Sequence, residues 1–354
     1  MNTERKYKYD ISIGMPVYGV EKYIRKSILS VLDQSIECNL EVLVIDDCGT
    51  DHSMDIIREC QSSHPKGNVI RIIRQPHNMG CWAARNKILD EAKGKYLFLI
   101  DADDYLSPDA LVKLYHAAEE HQAEAVYGSV VSVDETGQPV VYSIGDMKLP
   151  YKVLIGKDEL ASYANKSVRP TLYNFIWNVL IRTDFLREKQ LRFKETRFAD
   201  DIIFETDMQP LITRAVLLPD DTYYYVLRAG SLSNYHQREL IDLDEIKQYI
   251  WVYSYLKDQA KELKNKPYYE TRCAKAMKHM FHIVCGAIKN QDKIYPALTN
   301  RIIRDAMKHP IGFSELITFK RYKYINIGFW IIGALPPILS VGIIKAIGKW
   351  KHLI

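Results

Sequence analysis

The fold class this sequence predicts is α/β: a doubly wound, mostly parallel sheet with a C-terminal helical appendage. Three features carry that expectation. Short apolar runs alternate with helix-period segments early in the chain, one of those runs is apolar at every position, and from Leu240 onward the pattern turns helical.

Ile11 to Met15, Glu41 to Ile45, Val69 to Ile73, Tyr96 to Ile100 and Ala125 to Val133 read as strands. Tyr96-Leu97-Phe98-Leu99-Ile100 lacks polar alternation, as a parallel strand covered by helices on both faces requires, so it belongs in mid-sheet. Between strands, Ile24, Ile28 and Val31 recur at helical spacing. Ser107-Pro108-Asp109 offers a cap, a proline at the first helical position and a dipole-matched acid before a helix from Leu111 to His121. Right-handed crossovers through such helices build a sheet whose ligands bind beyond the carboxyl ends of its strands. The turn-rich segment Asp134 to Gly145 predicts a hairpin, and Val216 to Leu218 and Tyr223 to Leu227 predict extra sheet edge. In the appendage, Ile246, Ile250 and Tyr253 form one apolar face, and Met277, Phe281 and Val284 to Ile288 another.

The chain has 354 residues, 47% apolar and 26% charged, the composition of an ordinary globular protein with room for two domains. A net charge of +4 is small for this length, and the first three hundred residues hold no basic run interleaved with aromatics, so nucleic acid is not an expected partner. Cys38, Cys48, Cys60, Cys81, Cys273 and Cys285 form no C-x-x-C pair and have no histidines at metal spacing, which argues against zinc and against a disulfide framework. A reducing compartment is expected. Met1 to Asp10 is polar, without the apolar core of a secretory signal, so the expected location is cytoplasmic.

The strongest chemical signal is Asp101-Ala102-Asp103-Asp104 at the end of the buried run. Alternation along a strand turns Asp101 and Asp103 to one side and Asp104 away. Paired carboxylates suit Mg²⁺ or Mn²⁺, ions commonly completed by substrate phosphates, so a diphosphate is the matching ligand. The bland alternative is a solvated acidic turn that caps the next helix. A second pair, Asp46-Asp47, ends another strand before Gly49-Thr50-Asp51. A carboxylate there can accept from a base N–H or a ribose hydroxyl, while Thr50 and Asp51 suit helix capping.

Ser12-Ile13-Gly14-Met15-Pro16-Val17-Tyr18, Val44-Ile45-Asp46-Asp47 with Thr50-Asp51, Asn78-Met79-Gly80 followed by Ala84-Arg85-Asn86, and Asp101-Ala102-Asp103-Asp104 together resemble family 2 glycosyltransferases of the GT-A fold. All four occur in family order over about the first 110 residues; Gly19 departs from the pattern, where asparagine commonly follows the tyrosine. The resemblance implies a nucleotide-diphospho-sugar donor, a uridine one by preference. Pro16 and Tyr18 would flank the base, Asp47 would bond it and Arg85 would help hold it, Asp101 would meet ribose or metal, and Asp103 would ligate Mn²⁺ or Mg²⁺. Arg197-Phe198-Ala199-Asp200-Asp201-Ile202-Ile203-Phe204 resembles the family's acidic element, with Asp201 at the position of the catalytic base and Asp200 replacing a glutamate on the acceptor side. A carboxylate there deprotonates the acceptor hydroxyl opposite the leaving diphosphate, which inverts the anomeric centre. Helix capping is the competing role for both aspartates.

Tyr224 to Ser233 resembles the family's aromatic, Arg-x-Gly-Ser segment, from which Arg228 would reach the departing diphosphate. His236 reads as a third metal ligand, a phosphate contact or a surface residue. Trp177 and Asn178 match a family-like W-N-x-L stretch on the acceptor side, where core packing of Trp177 is equally open. On this reading residues 1–235 form a GT-A catalytic domain, its nucleotide-binding half at about 10–133 and its acceptor and base half at about 134–235; 236–318 form a helical appendage and 319–354 a membrane-associating segment.

Tyr324 to Ile344 carries no charge, lies between Lys320, Arg321, Lys323 and Lys345, Lys349, Lys351, and is broken by Pro336-Pro337. That pattern predicts an in-plane or re-entrant hairpin on the inner face of the cell membrane, with a helical hairpin packed on the protein as the alternative. Membrane attachment would suit a lipid-linked saccharide acceptor in surface polysaccharide or lipopolysaccharide assembly. A dehydrogenase or P-loop enzyme is disfavoured because Pro16-Val17-Tyr18-Gly19, with no glycine-rich fingerprint, follows the first strand. A sugar nucleotidyltransferase and a degenerate sugar-nucleotide-binding module are the remaining rivals.

Overall fold

The computed structural model describes residues 6–140, 147–169, 171–228 and 238–354. The chain divides into two compact units, Met1–Leu160 with Leu172–Arg228, and Ala161–Thr171 with Ala229–Ile354.

The first unit alternates strand and helix through β1 (Tyr9–Val17), α1 (Ile24–Leu32), β2 (Leu40–Asp46), α2 (Ser53–Ser63), β3 (Ile70–Arg74), α3 (Cys81–Glu91) and β4 (Gly94–Leu99). There follow β5 (Tyr105–Leu106), α4 (Ala110–His121), β6 (Ala125–Val133), β7 (Lys152–Ile155), α5 (Glu159–Ala164, assigned to the second unit from Ala161 on), β8 (Val179–Arg182), α6 (Thr183–Glu188), α7 (Asp200–Met208) and β9 (Arg214–Val226). The sheet order is β3-β2-β1-β4-β8-β6-β9-β5, with β7 also paired to β9.

Half of this sheet has the expected parallel form: β2 and β4 flank β1, and β3 runs beside β2. The other half departs from it. β8 is antiparallel to both β4 and β6, and β5 and β7 are antiparallel to β9, leaving β6 with β9 as the parallel pair. β5 follows β4 and β7 follows β6 with no helix between among the described residues, so each runs back the opposite way, and the regular parallel alternation is lost from there. The predicted sheet pieces around Val216 and Tyr223 are one strand, β9, which runs through Pro219 at a register shift against β6. Of the predicted hairpin, Asp134 to Gln138 forms a turn closed by the Gln138 carbonyl accepting from Asp134 N–H at 2.9 Å; residues 141–146 lie outside the described residues. Pro108 precedes α4 instead of opening it, since that helix starts at Ala110.

Tyr96, Leu97, Phe98 and Leu99 of β4 are all buried, as their uninterrupted apolarity requires. The amino ends of β1, β2 and β4 are stitched by one buried serine: Ser12 Oγ donates to Glu41 Oε1 at 2.5 Å and accepts from Gly94 N–H at 2.8 Å. Gly94 is required there, because a Cβ would stand 2.4 Å from the Ser12 backbone nitrogen.

The second unit is helical, with β10 (Ile241–Asp242) parallel to β11 (Ile294–Tyr295) as a small clip. Its helices are α8 (Leu243–Glu262), α9 (Tyr269–Lys289), α10 (Asn300–Ala306), α11 (Phe313–Leu316), α12 (Lys323–Ala334) and α13 (Pro337–Trp350). Asp242 caps α8 by accepting from Asp244 N–H at 2.8 Å. Met277, Phe281, Val284 and Ile288 of α9 pack with Ile303, Ile332, Val341 and Ile344, so α12 and α13 belong to this core by one face.

Gly94→Ala should lower stability by about 1–3 kcal/mol, because the obstructing atom is backbone and cannot rotate away. The urea midpoint measures this, and an unchanged midpoint would refute the close approach.

Candidate active site

The parallel half of the sheet gathers the carboxyl ends of its strands along one edge. Val17 pairs with Asp46, Asp47 N–H bonds Val17 O at 3.0 Å, Gln75 N–H bonds Asp46 O at 2.9 Å, and Ile100 N–H bonds Gly14 O at 3.0 Å. The segments that resembled family motifs are therefore neighbours in space.

Asp47 is buried. It accepts from Gln75 Nε2 at 2.6 Å, Met79 N–H at 2.7 Å and Gly80 N–H at 3.0 Å. In this structure it anchors the loop that opens α3, where Gly80 holds a left-handed φ of +87°. Pro16 is partly exposed and Tyr18 largely exposed at the end of β1, open to a ligand. Asp51 caps the start of α2, accepting from Ser53 Oγ at 2.7 Å and Ser53 N–H at 3.3 Å, and also holds Glu21 N–H at 2.8 Å.

From α3, Arg85 reaches into the centre. Its Nη2 donates to Asp101 Oδ1 and its Nη1 to Asp200 Oδ2, both at 2.9 Å. Burial opposes the guanidinium charge, but Asp200, Asp101 and Asp201 more than offset it, and its pKa rises well above the ordinary value. The next residue, Asn86, exchanges two bonds with Phe193, donating to its carbonyl at 2.8 Å and accepting from its N–H at 3.0 Å.

Asp101 to Asp104 form a turn, closed by Asp104 N–H on Asp101 O at 3.1 Å, and do not continue the strand. Turn geometry, and not strand alternation, sorts the three acids. Asp101 and Asp103 stay partly exposed, whereas Asp104 is buried, accepting from Tyr223 Oη at 2.7 Å and Val226 N–H at 2.8 Å. Burial, reinforced by Asp103 and Asp101, raises the Asp104 pKa well above the carboxylate range. Asp103 Oδ2 pairs with Arg228 Nε at 2.5 Å, and the Arg228 guanidinium lies 5.3 Å from the Tyr23 ring centre.

Asp200 and Asp201 open α7, whose N-cap Ala199 has a left-handed φ of 57° and makes no side-chain cap bond. Asp200 is buried against Arg85; Asp201 keeps a partly exposed edge and accepts from Ile202 N–H at 2.8 Å. Burial pushes the Asp201 carboxyl up to about 7, with Asp200 and Asp101 adding to the shift against Arg85. One turn on, Glu205 accepts from Tyr127 Oη at 2.7 Å and Gln209 Nε2 at 3.0 Å, and burial lifts it to about 8.

Trp177 is buried in a stack with Phe175 at 4.6 Å, Tyr223 at 4.8 Å and Tyr225 at 5.4 Å. Asn178, fully buried with φ 60°, spends its amide on Gly128 O, Ser129 O and Thr222 Oγ1, and so holds the β6 bulge instead of facing a ligand. His236 lies outside the described residues. Sequence reading missed Tyr223, Tyr127 and Glu205, whose partners stand far away along the chain.

Among the described residues no three or more His, Cys, Asp or Glu converge to hold a metal ion. The donor set nevertheless fits one. Arg85 pairs with Asp101 and Asp200 and Arg228 with Asp103, with Asp201 close by, an acidic grouping that a hard divalent cation would suit, with substrate oxygens completing its shell.

The chain matches the model of glycosyl transferase family 2 over residues 12–169, somewhat under half of its length. It is 26% identical over 253 residues to glycosyltransferase GlyG of Streptococcus pneumoniae, covering 69% of this chain and 78% of that one. It is 25% identical over 219 residues to the poly(ribitol-phosphate) β-N-acetylglucosaminyltransferase TarS of Staphylococcus aureus, covering 61% of this chain and 35% of TarS. The crystal structure of TarS 1–349 with UDP-GlcNAc matches with a TM-score of 0.54 at 18% identity, over 92% of this chain and 90% of that one. The mannosyltransferase PcManGT of Pyrobaculum calidifontis, in complex with GDP-Man and Mn²⁺, matches at 0.50 and 15% identity, over 93% and 86%.

Because the folded state binds the Asp201 proton more tightly than the unfolded chain, this group contributes stability below pH about 4 that is lost as pH rises through about 7. Asp201→Asn should therefore raise stability at pH 8 by about 1 kcal/mol or more, one pKa unit being worth roughly 1.4 kcal/mol. Urea unfolding at pH 5 and pH 8 tests it; an equal effect at both would refute the raised ionisation.

Proposed function

We propose that this glycosyltransferase moves a sugar, with inversion, from a uridine-diphosphate donor to a hydroxyl of a saccharide or lipid-linked saccharide in surface polysaccharide assembly. The observation that carries the reading is Asp201, a partly exposed carboxyl poised near neutrality beside the Arg85-linked pair Asp101 and Asp200. A base must be reachable by the acceptor hydroxyl and ionise near working pH, and Asp201, partly exposed and raised to about 7, suits both demands.

In the mechanism Asp201 takes the proton of the acceptor hydroxyl as its oxygen attacks the anomeric carbon. The C1–O bond to the diphosphate breaks on the opposite face, so the configuration inverts. Pro16 and Tyr18 line the base end of the donor, and Asp47 fixes the loop that aims Arg85. Arg228 moves from Asp103 to the departing diphosphate and stabilises its charge. Asp103, with Asp101, would hold Mn²⁺ or Mg²⁺, which supplies charge neutralisation for the diphosphate when bound. UDP-GlcNAc in the TarS complex and Mn²⁺ in the PcManGT complex support this assignment of donor and metal.

Nucleoside diphosphate released from a panel of nucleotide sugars with Mn²⁺ and saccharide acceptors should identify the donor. Asp201→Asn should lower kcat by about 10²–10⁴-fold while donor binding, followed calorimetrically, stays within about twofold. Turnover retained by this variant would remove Asp201 from its role. In the parent enzyme kcat/KM should fall about tenfold per pH unit below about 7, since only the ionised carboxylate accepts the proton; a rate flat from pH 5 to pH 8 would contradict this.

A further inference from the structure

The α12–α13 hairpin packs with an unexpected choice of faces. Its inner side presents Ile332, Val341 and Ile344 to the helical core, but also fully buries Asn326 and Ser340. Its outer side leaves Tyr324, Ile325, Ile338, Leu339, Ile343 and Trp350 exposed. Along α13, Ile338, Gly342 and Ala346 recur at four-residue spacing beside Leu339, Ile343 and Trp350, so the exposed groups form one stripe. Ile338 is 76% and Trp350 72% accessible. An apolar stripe kept outside while polar side chains go inside marks a surface that meets something apolar.

The charges identify what it meets. No aspartate or glutamate follows Glu315, whereas Lys320, Arg321 and Lys323 lead into the hairpin and Lys345, Lys349 and Lys351 close it. The Lys351 ammonium lies 4.0 Å from the ring centre of Trp350, an amphipathic pair of the kind that sits at a headgroup boundary. A second copy of this chain would bring the same cations against themselves, which disfavours self-association through this face. No helix among the described residues is long and apolar enough to cross a membrane, and one face of the hairpin is already committed to the protein.

We infer that the α12–α13 hairpin lies flat on an anionic phospholipid leaflet. Ile338, Leu339, Ile343 and Trp350 enter the acyl boundary while the flanking lysines sit among the headgroups. The cytoplasmic leaflet, which carries the anionic lipid in most cells, is the surface this chemistry fits. The contact is independent of the chemistry assigned to the active site.

The test is co-sedimentation of the full chain with phosphatidylcholine vesicles, with and without phosphatidylglycerol. The protein should pellet with the anionic vesicles, less with the neutral ones, and less as salt is raised. The triple variant Ile338→Ser, Leu339→Ser, Ile343→Ser should reduce the bound-to-free ratio by about tenfold or more, and Lys345→Gln with Lys349→Gln should abolish the preference for anionic lipid. The triple variant alters exposed positions and the lysine pair an exposed and a half-buried one, and both should keep the parent circular dichroism and thermal midpoint. Absence of vesicle binding by the parent would overturn the inference. So would a dimer in light scattering that the triple variant dissociates, because the face would then be covered by a second copy.

Discussion

One guanidinium ties the strand ends of the first unit together. Arg85 is buried between Asp101, at the end of a central parallel strand, and Asp200, at the start of the helix that carries Asp201. A charge in that position is tolerable only with both partners in place, since removing one partner of a buried pair leaves an uncompensated ion at a cost of about 3–5 kcal/mol. The constraint propagates in both directions. Upstream, Asp47 clamps Met79 and Gly80 and so fixes where α3 begins and where Arg85 points. Downstream, Asn86 and the Phe193–Phe204 stack at 4.1 Å seat the segment that delivers Asp200 and Asp201.

The same arrangement leaves the acids of the turn after β4 in two different states. Asp104 is sealed under Tyr223 and the Val226 amide and acts as a structural rivet between that turn and β9. Asp103, one residue earlier, is held by a single arginine at a partly exposed position. A rivet must be satisfied by the protein itself, whereas a ligand-binding carboxylate must be able to exchange its partner. Adjacent residues of the same type are thus divided by burial and by the number of donors they meet.

How much of this was legible in the sequence follows from the range of the forces involved. The parallel strands could be read because double-sided burial writes itself locally, as in Tyr96 to Leu99, and the span Ala125 to Val133 recurs unchanged as a strand. The motif residues on the strand ends could be placed because each lies just after such a run. Sheet order in the second half could not, since β8 has only four residues and β9 passes through Pro219, which reads as a break. Nor could the partner of Asp104 be read: it lies on Tyr223, and nothing near Asp104 marks that tyrosine. Asn178 shows the limit from the other side, a residue in a family-like motif whose side chain is consumed by a bulge in β6.

The carboxylate excess around Arg85 has a cost that bears on why the site is built this way. Asp101 is raised by burial in spite of its bond to Arg85, and Asp201 is raised to about 7, so the folded chain holds acids that would ionise more easily in water. Arg85 and Arg228 offset part of that carboxylate charge, and the acids that keep raised pKa values lower the stability of the folded chain as pH rises.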